Sequence, residues 1–287
     1  MQNYKTEIEN AWPSDKPRNL TYFIRPHENT TIIRPIDCCN SSTTFLNIIV
    51  PSGLDQKDRR VAIRQTWGSK KRINDKEIVV NFLVGQTNNN TLTNLLKQES
   101  DKYGDIIQEP FIDSYYNLTI KVGMMLKWIK NNYPDTRYIL KADDDVYIDI
   151  PNLLKNLSQH ENSSELLLMG QLNTLSLPNR DQYNKWYMPN YMYSESTYPP
   201  YLDGPAYIMS QAVLNKLYEK ALSLPILHLE DLFFTGICAR EANIDPINNK
   251  NFGFFAEPLG LIMKHGITIA EMNRMWKNRS QLNNYEN

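Results

Sequence analysis

The sequence has few cysteines, few glycines and almost no net charge. Among its 287 residues there are three cysteines and 11 glycines, and the formal net charge is −1. A chain without excess positive charge offers no electrostatic case for binding nucleic acid. The absence of any Cys-x-x-Cys pair excludes the common zinc patterns. Cys38 and Cys39 are neighbours with poor geometry for bonding each other, so the count allows one long-range bridge to Cys238 and leaves one thiol over.

Long apolar runs and glycine-rich phosphate loops are also missing. The apolar run at residues 45–50 is far shorter than the roughly 20 residues that a membrane helix needs. Residues 1–20 lack the apolar region of a signal peptide. As written, the chain is therefore expected to be soluble. Neither G-x-G-x-x-G nor G-x-x-x-x-G-K-[ST] occurs, so no Rossmann or P-loop nucleotide site is marked.

The order of apolar patterns predicts one α/β domain after a polar leader. Residues 1–40 are polar and dotted with prolines, and we expect a stem or linker there that need not be ordered. In residues 41–287, short apolar runs rich in branched side chains alternate with helical stripes, such as the stripe at 118–129. This alternation predicts a mostly parallel sheet flanked by helices. In such sheets, ligands bind beyond the carboxyl ends of the strands.

Three adjacent carboxylates follow one of these predicted strands. In an extended segment Asp143 and Asp145 face the same side and Asp144 the other, and two carboxylates on one face suit Mg²⁺ or Mn²⁺. A solvated turn is the ordinary alternative, but the triplet has an apolar run on both sides. An EF-hand loop is set aside, because its glycine would fall on Ile148 and its closing glutamate on Leu154. Water and substrate phosphate oxygens would fill the remaining metal positions.

A second pair of carboxylates opens a predicted helix late in the chain. Glu230 and Asp231 could serve as ordinary helix caps, or one of them could act as a general base. A metal that neutralises a leaving diphosphate and a base that deprotonates an attacking hydroxyl together describe an inverting sugar transfer from a nucleotide sugar. His265 could complete the metal shell, although its position alone favours a structural histidine.

Two further segments are candidates for substrate contacts. Arg59, Arg60 and Arg64 could place guanidinium groups on a phosphate, and a solvated basic helix face is an equally good interpretation. Residues 173–201 form a long, irregular and aromatic stretch, which in a compact domain is usually functional.

Six stretches of the chain match one family in the same order. The first is R-R-V-A-I-R-Q-T-W-G at residues 59–68, and the others are F-L-V-G at 82–85, D-S-Y-Y-N-L-T-I-K at 113–121, K-A-D-D-D-V at 141–146, Y-P-P-Y-L-D-G-P-A-Y-I-M-S at 198–210 and E-D-L-F-F-T-G at 230–236. Together they resemble the β-1,3-glycosyltransferases, the family of the β-1,3-galactosyltransferases and β-1,3-N-acetylglucosaminyltransferases. The chain departs from the family at Leu202, where many members have cysteine, and at Leu232, where valine is usual.

The resemblance implies a GT-A type fold for residues 41–287. It also implies a UDP-sugar donor, Mn²⁺ as cofactor with Mg²⁺ as the alternative, and inversion to a β-1,3 linkage on a glycan of a glycoprotein or glycolipid. Members of the family are typically type II membrane proteins of the Golgi, so a Golgi lumen location is expected. The membrane anchor of those relatives is not seen in this chain.

The resemblance also implies roles for individual residues. Asp143, Asp145 and His265 match the metal ligands, and Asp231 matches the catalytic base. Positions expected to bind substrate are Arg60, Arg64, Asp113, Lys121, Lys141, Asp144, Gly204 and Glu230, with Asp144 near the ribose.

The leading hypothesis is an inverting β-1,3-glycosyltransferase that moves galactose, N-acetylglucosamine or N-acetylgalactosamine from UDP. A catalytically silent sugar-binding or partner protein with the same fold is the alternative from another class, and the two intact carboxylate positions speak against it. A metal-dependent phosphoryl transferase is the third interpretation. The sequence leaves the donor sugar, the acceptor and the oligomeric state open.

Overall fold

The computed structural model describes residues 3–36, 44–160, 166–253 and 260–283. None of the described helices is both long and apolar enough to cross a membrane. The α-helices are α1 Tyr4–Ala11, α2 Leu20–Ile24, α3 Lys57–Gln65, α4 Asn90–Tyr103, α5 Leu118–Asn132, α6 Ile150–Ser158, α7 Gln211–Ala221, α8 Ala239–Glu241 and α9 Ile269–Asn283, with a π-helix at Leu232–Cys238 and 3₁₀ turns at Trp67–Ser69, Tyr115–Asn117 and Lys250–Phe252. The strands are β1 Leu46–Pro51, β2 Arg72–Ile73, β3 Lys76–Gln86, β4 Ile106–Ile112, β5 Tyr138–Ala142, β6 Tyr147–Ile148, β7 Leu168–Asn173, β8 Tyr201–Ser210, β9 Ile247–Asn248 and β10 Met263–Lys264.

A central sheet of eight strands confirms the predicted α/β class. Its order is β2-β3-β1-β5-β8-β7-β9, with β4 pairing with β3. Strands β4, β3, β1 and β5 are parallel to one another, as predicted. Strand β8 runs antiparallel to both β5 and β7. The end of β5 therefore lies beside the middle of β8, where Ala142 is opposite Ala206, and residues 201–205 of β8 extend beyond the end of β5.

The sheet is covered on both faces, which explains why its central strands are apolar throughout. All six residues of β1 and all five of β5 are buried. Alternate side chains point to opposite faces. Ile49 and Ile139 therefore join a core with α5 and α7, whereas Ile48 and Leu140 join a second core with α3, α6 and α9.

The N-terminal segment at residues 3–36 packs against the domain, which corrects the expectation of a linker there. Ile8, Trp12, Leu20 and Ile24 are fully buried in the core that contains α5. Within each pair the anchors are four residues apart, as on a helix, but each pair covers only about one turn and polar residues and prolines separate the two pairs, so the signal is too short to predict a packed segment. A few large apolar side chains nevertheless stabilise such a segment, at about 1.5–3 kcal/mol for each one buried.

The cysteine prediction is only partly covered by the described residues. Cys238 is a buried free thiol. Cys38 and Cys39, its expected partners, lie outside the described residues.

Candidate active site

A cavity of about 520 Å³ opens at the carboxyl ends of the parallel strands, where the sheet type predicts a ligand site. We call it the strand-end cavity. Three loops supply most of its wall: 51–56 after β1, 113–115 after β4, and 143–145 after β5. Lys121, Lys185 and His265 complete the set of charged groups around it. The structure thus brings six of the predicted site residues together: Asp113, Lys121, Asp143, Asp144, Asp145 and His265.

Asp145 and His265 form the part of this wall best suited to a metal. Oδ1 of Asp145 lies 3.5 Å from Nε2 of His265, and both side chains are about one-third exposed. The loop after β10 brings the histidine there, because the Ile267 amide donates to the Asp145 carbonyl at 3.1 Å. Gly266 turns this loop with φ +69°, a backbone conformation that favours glycine.

The contact between Asp145 and His265 shifts the pKa of both side chains. Burial opposes ionisation of Asp145, but hydrogen bonding to His265 and the charge of that ring hold the pKa of the carboxyl below its usual range. The same hydrogen bond raises the pKa of His265. A metal would have to displace any proton on the ring.

Asp143, the third predicted metal ligand, contacts Lys141. Oδ1 of Asp143 accepts a hydrogen bond from Nζ of Lys141 at 2.6 Å. In the parts of the chain that the structure describes, no three His, Cys, Asp or Glu side chains are gathered as a metal group. An oxygen and a nitrogen donor at Asp145 and His265 nevertheless fit Mn²⁺, and water and phosphate oxygens can fill the other positions.

Asp144 is held by the loop after β1. Oγ of Ser52 donates to Oδ2 of Asp144 at 2.6 Å. The carbonyl of Ser52 accepts from Nζ of Lys121 at 2.9 Å. Burial raises the pKa of Asp144, and the Ser52 hydrogen bond opposes that rise. All three aspartates line the strand-end cavity, each with a different partner. Residues 144–145 form a turn, so the alternation expected of an extended segment does not apply to them.

Asp113 and Lys121 form an ion pair on the wall of the strand-end cavity. Nζ of Lys121 lies 2.8 Å from Oδ1 and 2.9 Å from Oδ2 of Asp113. Oδ2 also accepts from the Gly85 amide at 2.9 Å. Burial lowers the pKa of Lys121, and Asp113 opposes that shift. The pair links β3, β4 and α5 at the cavity.

Arg60 does not reach the cavity, which corrects the expectation of a direct substrate contact. Its side chain has no exposed surface and pairs with Glu99 through two hydrogen bonds of 2.9 and 2.8 Å. The guanidinium also donates to Oγ of Ser52 at 3.0 Å and to the carbonyl of Leu54 at 3.3 Å. Arg60 therefore supports the loop that holds Asp144. It would act on a ligand only through the residues of that loop.

Arg64 is corrected in the same way. It makes two hydrogen bonds of 2.8 Å with Asp105 and an ion pair of 2.8 Å with Glu99. Its guanidinium carbon lies 4.0 Å from the ring centroid of Tyr103. These contacts turn the guanidinium toward α4 and the residues that follow it, so Arg64 stabilises the packing of α3 on α4.

The second pair of carboxylates lies where β8 begins. Glu230 is 5% exposed. Its Oε1 lies 2.9 Å from Nζ of Lys141, and its Oε2 accepts from the Tyr207 hydroxyl at 3.0 Å. Burial raises the pKa of Glu230 to about 7, with Lys141 opposing and the charge of Asp231 adding to the rise. Lys141 and Glu230 thus face each other and not the cavity.

Asp231 is oriented by two backbone amides. Its Oδ1 accepts from the Leu232 amide at 2.8 Å, and its Oδ2 accepts from the Gly204 amide at 3.1 Å. Burial raises the pKa of Asp231 above its usual range. The π-helix at Leu232–Cys238 starts directly after it, and Oγ1 of Thr235 donates back to the Asp231 carbonyl at 2.6 Å. Widened turns of this kind occur frequently at functional sites.

Lys141 joins the two carboxylate positions. Its ammonium contacts Asp143 on one side and Glu230 on the other, and it also donates to the Gly204 carbonyl at 2.5 Å. Gly204 in turn binds Asp231 through its amide. One buried cation therefore connects the acidic triplet to the late acid pair.

Sequence reasoning missed Ser52, Tyr115 and Lys185 as site residues. Tyr115 lines the strand-end cavity, and its pKa is raised by burial and by the negative charges of Asp231 and Glu230. The ammonium of Lys185 lies 4.6 Å from the ring centroid of Tyr115. Tyr115 falls inside the matched stretch at 113–121, which could have marked it. Nothing in the sequence distinguishes Lys185 within the aromatic stretch.

Comparisons with known proteins agree with the resemblance. The family model described as Galactosyltransferase matches residues 58–250. The mouse protein named beta-1,3-galactosyltransferase 1 is 33% identical over 263 residues, which cover 90% of this chain and 80% of the relative. The human beta-1,3-galactosyltransferase 5 is 33% identical over 222 residues, which cover 77% of this chain and 71% of the relative. A solved glycosyltransferase that acts in glycosylation of the major capsid of PBCV-1 is a distant structural likeness, with a TM-score of 0.44, 9% identity, and coverage of 81% of this chain and 99% of that one.

Proposed function

The chain belongs to the galactosyltransferase family and is a glycosyltransferase, and from this we infer that it transfers a hexose from UDP to the 3-hydroxyl of an acceptor sugar with inversion, forming a β-1,3 linkage. Galactose is the first donor sugar to test, because the similar relatives are named for it. N-acetylglucosamine and N-acetylgalactosamine are the alternatives. The acceptor would be a glycan on a protein or lipid in the Golgi lumen, where a membrane anchor would hold a family member.

The connection through Lys141 is the observation that carries the proposal. A transferase needs a donor position and an acceptor base within reach of one sugar ring, and Lys141 contacts both Asp143 and Glu230. The contact of one ammonium with both carboxylates supports the inference that the two positions act as one site. A sugar-binding protein without turnover would need only one of them.

The donor side of the site is the strand-end cavity. Asp145 and His265 would hold Mn²⁺, or Mg²⁺ in its place, and the bound metal would neutralise charge on the leaving diphosphate. Asp113 and Lys121 form the neighbouring wall, and Asp144 would face the ribose. Lys185 adds a second cation at the cavity, on the side of the aromatic stretch.

The acceptor side is centred on Asp231. The two amide hydrogen bonds fix the carboxylate plane, and burial raises its pKa toward the range in which a carboxylate accepts a proton effectively. Asp231 would take the proton of the acceptor 3-hydroxyl as that oxygen attacks the sugar from the face opposite the diphosphate. Tyr183 and Trp186 expose 45% and 57% of their surface on the aromatic stretch, and we propose that this stretch walls the acceptor sugar.

The test is acceptor-dependent release of UDP in the presence of Mn²⁺. Each of the three UDP-sugars is incubated with and without β-linked galactose and N-acetylglucosamine acceptors. Acceptor-dependent release with one donor is expected, and the product should be β-1,3-linked by NMR. Donor binding without turnover on any acceptor would favour the silent protein.

Two substitutions test the roles proposed for the acceptor side and the donor side. Asp231→Asn should lower kcat by about 10²–10⁴-fold and leave UDP binding intact, since a base contributes about that factor. Asp145→Ala should weaken Mn²⁺-dependent UDP binding. Asp245→Asn, on the exposed surface, is the matched control. A fully active Asp231→Asn would refute the assignment of the base.

A further inference from the structure

The N-terminal segment carries an arginine that binds two segments distant from each other in the sequence. Nη1 of Arg18 donates to the carbonyls of Met192 at 2.9 Å and Ile226 at 3.2 Å. Nη2 donates to the carbonyl of Tyr191 at 3.1 Å. Tyr191 and Met192 belong to the aromatic stretch, whereas Ile226 precedes the acid pair by a few residues. One guanidinium therefore connects the wall proposed for the acceptor to the segment that carries the base.

The main chain beside Arg18 strengthens the connection to the second part. The Ile226 amide donates to the Arg18 carbonyl at 2.8 Å. Asn19 and Pro225 form an isolated antiparallel bridge. Thr119 of α5 donates to the next carbonyl, that of Leu227, at 2.6 Å. Residues 225–227, which precede Glu230, are thereby held between the N-terminal segment and α5.

The same segment binds the aromatic stretch at other points. The Tyr191 hydroxyl donates to the Trp12 carbonyl at 2.8 Å, and the Lys5 amide donates to the Gln182 carbonyl at 3.1 Å. Trp12 is itself fully buried, and its indole N–H donates to the Tyr116 carbonyl at 2.8 Å. The segment is thus anchored in the core where it grips the stretch.

We propose that Arg18 is a positioning residue that aligns the aromatic stretch with Asp231 for acceptor binding, a role that rests on the proposed function. Residues 174–200 contain no helix or strand, so ordering them costs conformational entropy that regular backbone hydrogen bonds do not offset. The planar fork of arginine can serve three carbonyls in fixed directions at once. Arg18 makes no contact with the strand-end cavity and binds the stretch at Tyr191 and Met192, several residues beyond Lys185, so we expect its larger effect on the acceptor side.

The experiment compares Arg18→Gln and the conservative Arg18→Lys with Arg25→Gln. Arg25 lies in the same segment and is exposed, where it pairs with Glu28. The readouts are the KM for acceptor, the KM for UDP-sugar, and amide hydrogen exchange in the complete chain. Arg18→Gln should raise the acceptor KM roughly tenfold and change the donor KM by less than about twofold. The acceptor KM of Arg18→Lys should lie between those of the wild type and Arg18→Gln, because an ammonium cannot donate to three carbonyls in one plane.

Hydrogen exchange separates this proposal from the proposed function, because it needs no turnover. Arg18→Gln should accelerate exchange at residues 187–193 and 226–231 while the strands β1 and β5 stay protected. If the wild-type chain transfers no sugar, the proposed function fails and the exchange pattern still decides whether Arg18 aligns the two segments. The proposal would be overturned by unchanged exchange in these two segments, by acceleration across the whole chain, or by equal increases in the KM for donor and for acceptor.

Discussion

Nζ of Lys141 lies 2.9 Å from Oε1 of Glu230, and both side chains are buried. Burial disfavours the ammonium, but Asp143 and Glu230 together raise the pKa of Lys141 above its usual range. The lysine therefore stays charged and compensates two carboxylates at once. Removing the ammonium would leave the buried Glu230 carboxylate without its compensating charge.

Lys141→Met should destabilise the protein and abolish transfer. Loss of the cation from a buried pair costs about 3–5 kcal/mol of the free energy of unfolding. Urea denaturation measures the change, with the exposed Lys216→Met as matched control. A loss below about 1 kcal/mol would show that Glu230 finds another partner or takes up a proton.

Ser52→Ala should weaken nucleotide binding more than the chemical step. The substitution removes the hydroxyl that donates to Asp144 and accepts from Arg60. A free Asp144 carboxylate no longer has a fixed direction at the proposed ribose position. We expect the Kd of UDP with Mn²⁺ to rise about fivefold, the effect of one hydrogen bond of about 1 kcal/mol. Titration calorimetry measures it, with Ser158→Ala on the surface of α6 as control, and an unchanged Kd would contradict the role of Ser52.

Gly204→Ala should reduce kcat while the fold and donor binding persist. An added Cβ would lie 3.1 Å from Oδ2 of Asp231, closer than ordinary contact, so the carboxylate has to move. The shift required is a few tenths of an ångström. Because a displacement of about 1 Å near a reacting group can cost about 10²-fold in rate, we expect a smaller loss of kcat here, about tenfold. Steady-state kinetics, together with a melting curve that excludes unfolding, measure the effect. A wild-type kcat would mean that the amide of Gly204 does not orient the base.

The pH dependence of transfer should report the ionisation of Asp231. The base must be ionised, so kcat/KM rises with pH through its pKa and falls below it. Burial raises this pKa, the Leu232 amide and Lys141 oppose the rise, and the charge of Asp203 adds to it. We therefore expect the acidic limb of the profile above the usual pKa of aspartate, about 3.9.

Asp203→Asn tests this assignment directly. Removing that negative charge lowers the pKa of Asp231, so the acidic limb should shift to lower pH. The asparagine keeps the oxygen that accepts a hydrogen bond from Asn173. Asp245→Asn, an exposed aspartate on another surface, should leave the limb in place. A limb that is unmoved in Asp203→Asn, or moved to higher pH, would assign it to a different group.

The sequence predicts the sheet and the triplet well because their signals are local. Alternating apolar runs predict parallel strands, and the carboxylates after β5 lie at the strand ends as that topology requires. Arg60 shows the limit of such reasoning. An arginine on a predicted helix can face solvent, a ligand or a buried Glu99, and only packing decides among them.

Long-range contacts account for what the sequence could not predict. Lys141 has a clear place in a matched stretch, yet its contact with Glu230 depends on β8 pairing with β5. Trp12 and Arg18 lie in a segment whose composition resembles a linker. Their partners, Tyr116 and Met192, are more than a hundred positions away along the chain.

Because β8 runs antiparallel to β5, the residues of the two proposed sides lie in two separate blocks of the sequence, which can be exchanged independently. Because β8 enters the site with its first residues, the aromatic stretch, Gly204 and the acid pair follow one another within residues 174–236. The walls of the strand-end cavity come mainly from residues 51–145. If the proposed function holds, a chimera that takes the later block from a relative is expected to change the acceptor and keep the donor sugar. Such a chimera would have to take the first 36 residues from the same parent, since they hold the exchanged block in place.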